Sequence, residues 1–232
     1  MKRINGVAVA AALLLVAQSA FAQMDETVRK VENGGLHAKG WLGVVDANAA
    51  KAGQTVNDAS LTAHGKDLHI VTGPAITYWN TDKAVKGNYS VKAEFNEAQY
   101  MNLNDHPHPY GIMIGGNDLG TDKQSYLYCA AYGNGSFIVR GMGPAPFQMG
   151  GRRPIVSEAV HKAAGKGSPV TQKIEVSVKD DKVECSINGT VVATYPKSEL
   201  VADGKLKSLD GFVGIRAAHN TEVVVHEFKV DK

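Results

Sequence analysis

Several familiar sources of chemistry are missing from this 232-residue chain. It contains no Gly-x-Ser-x-Gly elbow and no His-Glu-x-x-His pair, so neither an α/β-hydrolase nucleophile nor a zincin metal helix is available. No Gly-Lys-Ser/Thr follows a glycine-rich turn, which excludes a phosphate loop. Cysteine is scarce: Cys129 and Cys185 stand alone, in no Cys-x-x-Cys. Long apolar runs are confined to the first 22 residues. Net charge is also nearly absent. The formal value is +2, and Lys2 and Arg3 account for it, leaving 23 basic against 23 acidic residues in the rest. That balance offers nothing to attract nucleic acid or an anionic membrane surface.

The amino terminus reads as an export signal. A basic start, an apolar run through Val16 and the small-residue ending Ala20-Phe21-Ala22 follow the order of a secretory signal. The run is shorter than the ~20 residues that a membrane span needs. Residues 1–22 are therefore expected to be removed, leaving one domain over 23–232 in the periplasm or outside the cell, with no membrane insertion after cleavage. In such a compartment Cys129 and Cys185 can pair. Each shares the parity of apolar strand neighbours, so a buried disulfide is the expectation over two buried thiols.

What the chain has in abundance is short alternation. In "YSVKAEF", Tyr89, Val91, Ala93 and Phe95 take one face. In "KIEVSVK", Ile174, Val176 and Val178 do the same, and "KVECSI" repeats the scheme. A period of two over such lengths means half-buried strands. Gly133-Asn134-Gly135, Asp180-Asp181 and Asn188-Gly189 punctuate them as hairpin turns. Further strands are expected at "LHIVTG", "AITYW", "YGIMIGG", "GFVGIRAA" and "TEVVVHEFKV". Helix is expected only in "DETVRKVEN" and "VSEAVHKAAG", with "PKSELV" a turn. The fold class is all-β, a two-sheet antiparallel sandwich with one or two short helices. Residues 141–170 form a long irregular connection, a length that more often serves function than accident.

Strand phase also suggests a site. In "SYLYCAAY", Tyr126, Tyr128 and Tyr132 oppose Leu127, Cys129 and Ala131. In "GFVGIRAA", Arg216 opposes the apolar residues. Tyrosines with an arginine suit a shallow sugar groove, because aromatic faces stack on apolar sugar faces and polar heads meet hydroxyls. The alternative is that they floor the long connection. In "NDHPHPY", His106 and His108 point the same way along an extended chain that Pro107 stiffens. His-x-His can chelate a transition metal if His219, His226, Asp105 or Met113 joins it; it can also serve a ligand or simply structure the loop. "GGNDLGTD" presents Asn117, Asp118 and Asp122, an oxygen-rich turn that calcium could use but that fits no complete calcium loop. No cofactor is required by the sequence. Trp79 is expected in the core, and "GRRP" as a surface step.

The segments "NDHPHPYGIMIGGNDL", "QSYLYCAAYGNGSFIVR", "VECSINGTVVATY" and "GFVGIRAAHNTEVVVHEFKV" resemble the concanavalin A-like (laminin-G/glucanase-like) jelly-roll superfamily. More narrowly, they resemble exported bacterial proteins of the 3-keto-disaccharide hydrolase domain family. The resemblance implies two face-to-face sheets and a carbohydrate ligand. It nominates His106, His108, Tyr110, Gly115 and Gly116, with His219 and Asn220 near the end. The glucanase branch carries a Glu-x-Asp-x-Glu on one strand, since retaining hydrolysis needs two close carboxylates; this chain has none. The expected ligand-binding set is His106, His108, Tyr110, Tyr126, Arg140, His219 and Asn220. The expected function is glycan binding. A glycoside-acting enzyme of the 3-keto type and an envelope protein-interaction module are the alternatives.

Overall fold

The computed structural model describes residues 28–232; the signal peptide expected over 1–22 and the start of "DETVRKVEN" lie outside them. Two sheets stack face to face. The first runs in the order β1 (Gly35–His37), β3 (Ala59–His64), β4 (Asp67–Thr72), β16 (Glu222–Asp231), β6 (Tyr89–Glu97), β12 (Val170–Lys179), β13 (Lys182–Ile187), β14 (Thr190–Pro196). The second runs β10 (Pro146–Met149), β9 (Ser136–Met142), β8 (Ser125–Tyr132), β7 (Tyr110–Asn117), β15 (Gly211–Ala217), β5 (Ile76–Val85), β2 (Trp41–Val45), with β11 (Ile155–Val156) also on β9. Every pairing is antiparallel except β1 with β3. This is the two-sheet sandwich that the alternation predicts. Among the described residues no helix is long and apolar enough to cross a membrane.

The first sheet is built as its sequence reads. Val91, Ala93 and Phe95 of β6 lie opposite Val176, Ile174 and Gln172 of β12, all pointing inward. Lys92, Glu94, Lys173 and Glu175 point out into solvent. The second sheet differs. Strand β7 is buried almost throughout, because both its faces are covered. Tyr110, Ile112 and Ile114 join the main core, while Met113 on the opposite face packs with Trp79 and Tyr126 in a second apolar cluster. Val44, Leu119, Tyr128, Met142 and Phe212 border it. A strand covered on both sides reads as a continuous apolar run, which is what "YGIMIGG" is.

Two glycines of that region have backbone reasons. Gly115 takes φ +60, at an irregularity in the β7–β8 pairing between Ile114 and Asn117. Gly214 lies so close to β5 that a β-carbon there would overlap the Tyr78 carbonyl. Cys129 on β8 and Cys185 on β13 form a disulfide that ties one sheet to the other, with Cα atoms 6.2 Å apart. It closes a separation of 56 residues.

Three local expectations are corrected. "VSEAVHKAAG" is not helical: Ile155–Val156 pairs with β9, and the rest is turns and an isolated bridge from Lys162 to Asn134. The long connection thus folds back on β9 through β10 and β11 instead of running free. "PKSELV" contains a short helix, α2 (Lys197–Leu200), whose Leu200 is buried. The other helix, α1 (Ala47–Lys51), follows β2, where no helix was expected.

Candidate functional site

Topology brings the histidines together. Strand β6 belongs to the first sheet and β7 to the second, so residues 98–109 cross between layers. Strand β15 belongs to the second and β16 to the first, so residues 218–221 cross too. Because β6 pairs with β16 and β7 pairs with β15, the two crossings lie side by side. The Ala218 amide accordingly donates to the Pro109 carbonyl at 3.0 Å. His108 is buried, and its Nδ1 donates to the His219 backbone oxygen at 2.6 Å across 111 residues of sequence. Its ring centroid lies 3.9 Å from that of His219 and 4.6 Å from that of His106. His106 and His219 are 6.3 Å apart. On the more exposed side, His106 Nδ1 meets Asp105 Oδ1 at 2.7 Å.

These rings edge a groove of about 470 Å³. Its floor and walls come from the outer face of the second sheet: Tyr128 and Tyr132 of β8, Arg140 of β9 and Arg216 of β15, with Asp46, Asn134 and Pro154 at the margin. Arg216 is anchored on three sides. Its Nη2 donates to Asp46 Oδ2 at 2.6 Å and its Nη1 to Thr77 Oγ1 at 3.2 Å, while the guanidinium stands 5.7 Å from the Tyr128 ring centroid. Burial works against this charge, but Tyr126 and Asp46 more than offset it, so the cation holds its proton beyond the usual arginine range. Burial, with Tyr128 nearby, pushes the Tyr132 phenol up to about 12, which keeps it a neutral hydroxyl. The groove thus offers aromatic faces, cations and imidazoles within one cleft.

A wider depression of about 690 Å³ lies outside the first sheet, lined by Lys92, Glu94, Lys173, Glu175, Phe228 and others. Its polar groups are exposed strand lysines and glutamates, several already paired, as Lys173 is with Glu94 at 3.4 Å. Surface pairs of this kind are weak and mobile. It gathers no set of anchored groups, and the smaller groove is the better candidate.

Of the seven residues expected at the site, His106, His108, His219 and Arg140 line the groove. Three do not. Tyr110 is fully buried between the sheets, stacked on Phe95 at 5.6 Å; it shares the inward parity of Ile112 and Ile114. Tyr126 is closed into the second apolar cluster, its hydroxyl accepting from Thr77 Oγ1 at 3.1 Å. Asn220 is a buried turn residue at φ +50: its amide donates to the Gly73 carbonyl, and its side-chain oxygen accepts from the Arg29 amide at 2.6 Å. Trp79 is in the second cluster, as a core residue.

Two of the groups considered for calcium, Asn117 and Asp118, are engaged by neighbouring residues. The Asn117 amide donates to the carbonyls of Gly115, Ser208 and Asp210, and Asp118 pairs with Lys207 at 2.8 Å. Among the described residues no three His, Cys, Asp or Glu side chains form a metal-holding group. Asp46, Asn134 and Pro154 were not anticipated. Asp46 meets Arg216 from 170 positions away, with no local sign of it; Pro154 ends "GRRP", whose charges suggested only a surface step.

No family model matches the sequence, and no curated protein matches it. Solved structures do match in shape. An endo-β-1,3-glucanase from Pyrococcus furiosus is 12% identical with a TM-score of 0.55, covering 86% of this chain and 90% of its own. A Bacillus subtilis protein of unknown function with a galectin-like fold is 11% identical, with a TM-score of 0.55 and coverage of 84% and 92%. The laminarinase catalytic domain of Thermotoga maritima is 13% identical, at 0.51, covering 80% and 88%. At such identities the likeness establishes architecture alone: a two-sheet jelly-roll β-sandwich.

Proposed function

We propose that this is an exported carbohydrate-binding β-sandwich whose ligand lies in the Tyr128–Arg140–Arg216 groove. The observation that carries the reading is the convergence, on one sheet face, of two tyrosines and two arginines with three imidazoles at the rim. Tyrosine rings can stack on sugar faces, and fixed cationic and phenolic donors can address hydroxyls. Two of the similar structures are a glucanase and a laminarinase domain, which makes glucans a reasonable first panel. The disulfide suits the oxidising compartment that export implies. Calorimetric titration across a broad saccharide panel tests the proposal. Tyr128→Ala and Arg140→Ala should each weaken binding at least about tenfold, roughly the loss of one stacked or charged contact, while Lys173→Ala on the opposite sheet should not. No binding by wild type to any member of the panel would refute it. A mature amino terminus at Gln23 is expected if the export signal is cleaved as its composition predicts.

The histidines favour a second reading, that of a glycoside-acting enzyme of 3-keto-disaccharide hydrolase type. An imidazole held by a carboxylate, as His106 is by Asp105, can shuttle a proton near neutral pH. Assay of 3-keto-glycosides with His106→Ala and His108→Ala separates this from simple binding. Unchanged turnover in both variants would remove the pair from any mechanism.

A further inference from the structure

Sugar hydroxyls both donate and accept hydrogen bonds, so a groove for a neutral saccharide needs acceptors as well as donors. This groove is short of acceptors. The carboxylate lining it is Asp46, whose Oδ2 already accepts from Arg216 Nη2 at 2.6 Å. The side-chain amide lining it is Asn134, whose oxygen accepts from the Ser136 backbone N–H at 3.1 Å and from the Ser136 hydroxyl at 2.6 Å. What Asn134 has left is its NH2, which only donates.

Donors are plentiful. Arg140 stands opposite Tyr128 in the β8–β9 register, close enough to the Tyr132 phenol to oppose the rise that burial causes there. It forms no ion pair with any described residue. Asp46 and Arg216 cancel, so Arg140 is the arginine charge left over. Two more guanidiniums border the groove. Gln148 lies opposite Arg140 in the β9–β10 register, and its Nε2 donates to the Arg153 carbonyl at 3.4 Å. That contact holds the exposed Arg152-Arg153 step beside the groove, where Pro154 forms part of the wall. The bias is local. The chain beyond residue 22 is balanced in charge, and the depression on the other sheet matches its lysines with glutamates.

We infer that the ligand of this groove is an acidic saccharide, whose carboxylate or sulfate ester lies against Arg140 beside Tyr128 and Tyr132. The inference rests on the carbohydrate reading above and narrows it. An anionic oxygen group brings acceptors alone, which is what a donor-rich wall lacks. The planar guanidinium fork can take two oxygens of one such group at once. The tyrosine faces remain for the apolar side of the sugar ring. The rim imidazoles keep the partners they already have.

Calorimetric titration with matched pairs tests it: an oligogalacturonate against its methyl ester, and a sulfated galactan oligosaccharide against its desulfated form. The two pairs separate carboxylate from sulfate. In at least one pair the acid should bind at least about tenfold tighter than its neutral partner, and the ratio should shrink between about 0.05 M and about 0.5 M salt. Arg140→Gln should bring that ratio to within about threefold, and Arg140→Lys should keep part of it, since the charge survives without the fork. Lys173→Gln, a cation on the other sheet, should leave the ratio unchanged. Arg140 is exposed, so its variants should fold, which thermal melting verifies. Equal affinities within both pairs would overturn the acidic ligand and leave the carbohydrate reading standing. An acid preference undiminished in folded Arg140→Gln would overturn the placement at Arg140. Absence of binding to every saccharide, acidic or neutral, would overturn both readings together.

Discussion

Replacing Glu97 with glutamine removes a buried carboxyl whose ionisation opposes folding near neutral pH. Glu97 ends β6, beneath the connection that carries His106 and His108. Only 8% of its surface is exposed. Burial lifts its pKa from 4.5 to about 7, against smaller opposing effects of the Met101 backbone and the Tyr110 hydroxyl. That hydroxyl stands beside the carboxyl without closing a well-formed hydrogen bond, and Glu97 Oε2 has no partner either. A carboxyl whose folded pKa is raised binds its proton more tightly in the native state. Its contribution is therefore fully present below about pH 4.5 and is lost as pH rises through about 7. The displacement corresponds to about 3 kcal/mol in all, of which roughly 2.5 kcal/mol falls between about pH 5 and about pH 8. Urea unfolding of wild type and Glu97→Gln across that range measures it. The stability of wild type relative to the variant should fall by roughly that amount as pH rises. Parallel pH profiles would refute the reasoning, since they would show the carboxyl titrating alike in folded and unfolded chains.

Further outcomes follow from other parts of the fold. Reducing Cys129–Cys185 frees a closure of 56 residues and should cost about 4 kcal/mol in the chain-entropy account, read as a lowered urea midpoint. Because β8 also carries Tyr128 and Tyr132, saccharide affinity measured under reducing conditions should fall with it. Asp46→Ala should destabilise more than Arg216→Met, by about 1–2 kcal/mol once the partial exposure of Asp46 is allowed for. The former strands a buried cation, whereas the latter returns Asp46 to water; thermal melts of equal or reversed order would contradict this. Gly214→Ala forces β15 away from the Tyr78 carbonyl and should cost about 3 kcal/mol, the upper end of overpacking. Chemical denaturation showing a neutral effect would mean that the two strands separate easily.

The legible parts of this protein are those where one strand face is wet. In β6, β12 and β13 the alternation is unambiguous, and core residues follow from parity alone. Cys129 and Cys185 could be placed inward on the same grounds, and their bond spans the sheets. Legibility ends where both faces are dry. In β8 the stripe of Tyr126, Tyr128 and Tyr132 was separable from Leu127 and Cys129, but the stripe itself divides: Trp79 and Met113 close over Tyr126, leaving the other two at the groove. Parity cannot report that, because the covering residues come from different strands. Tyr110 was a different kind of miss. The family resemblance nominated it together with the histidines, whereas its phase with Ile112 and Ile114 sends it into the core.

The histidine cluster has a simple topological origin. Any chain that sends β6 to β7 and β15 to β16 across the layers, with β6 beside β16 and β7 beside β15, must lay those two connections next to each other. The residues on them become neighbours whatever their separation in sequence. His-Pro-His on one crossing and His219 on the other then meet at the edge of a single sheet face. That face is the one with an aromatic floor, because the second sheet keeps an outer apolar cluster and the first sheet shows solvent its lysines and glutamates. The placement makes the site a property of the fold's connectivity. Three small choices are laid over it: an oxygen beside Nδ1 of each of His106 and His108, one proline that stiffens the approach, and one buried arginine held by Asp46.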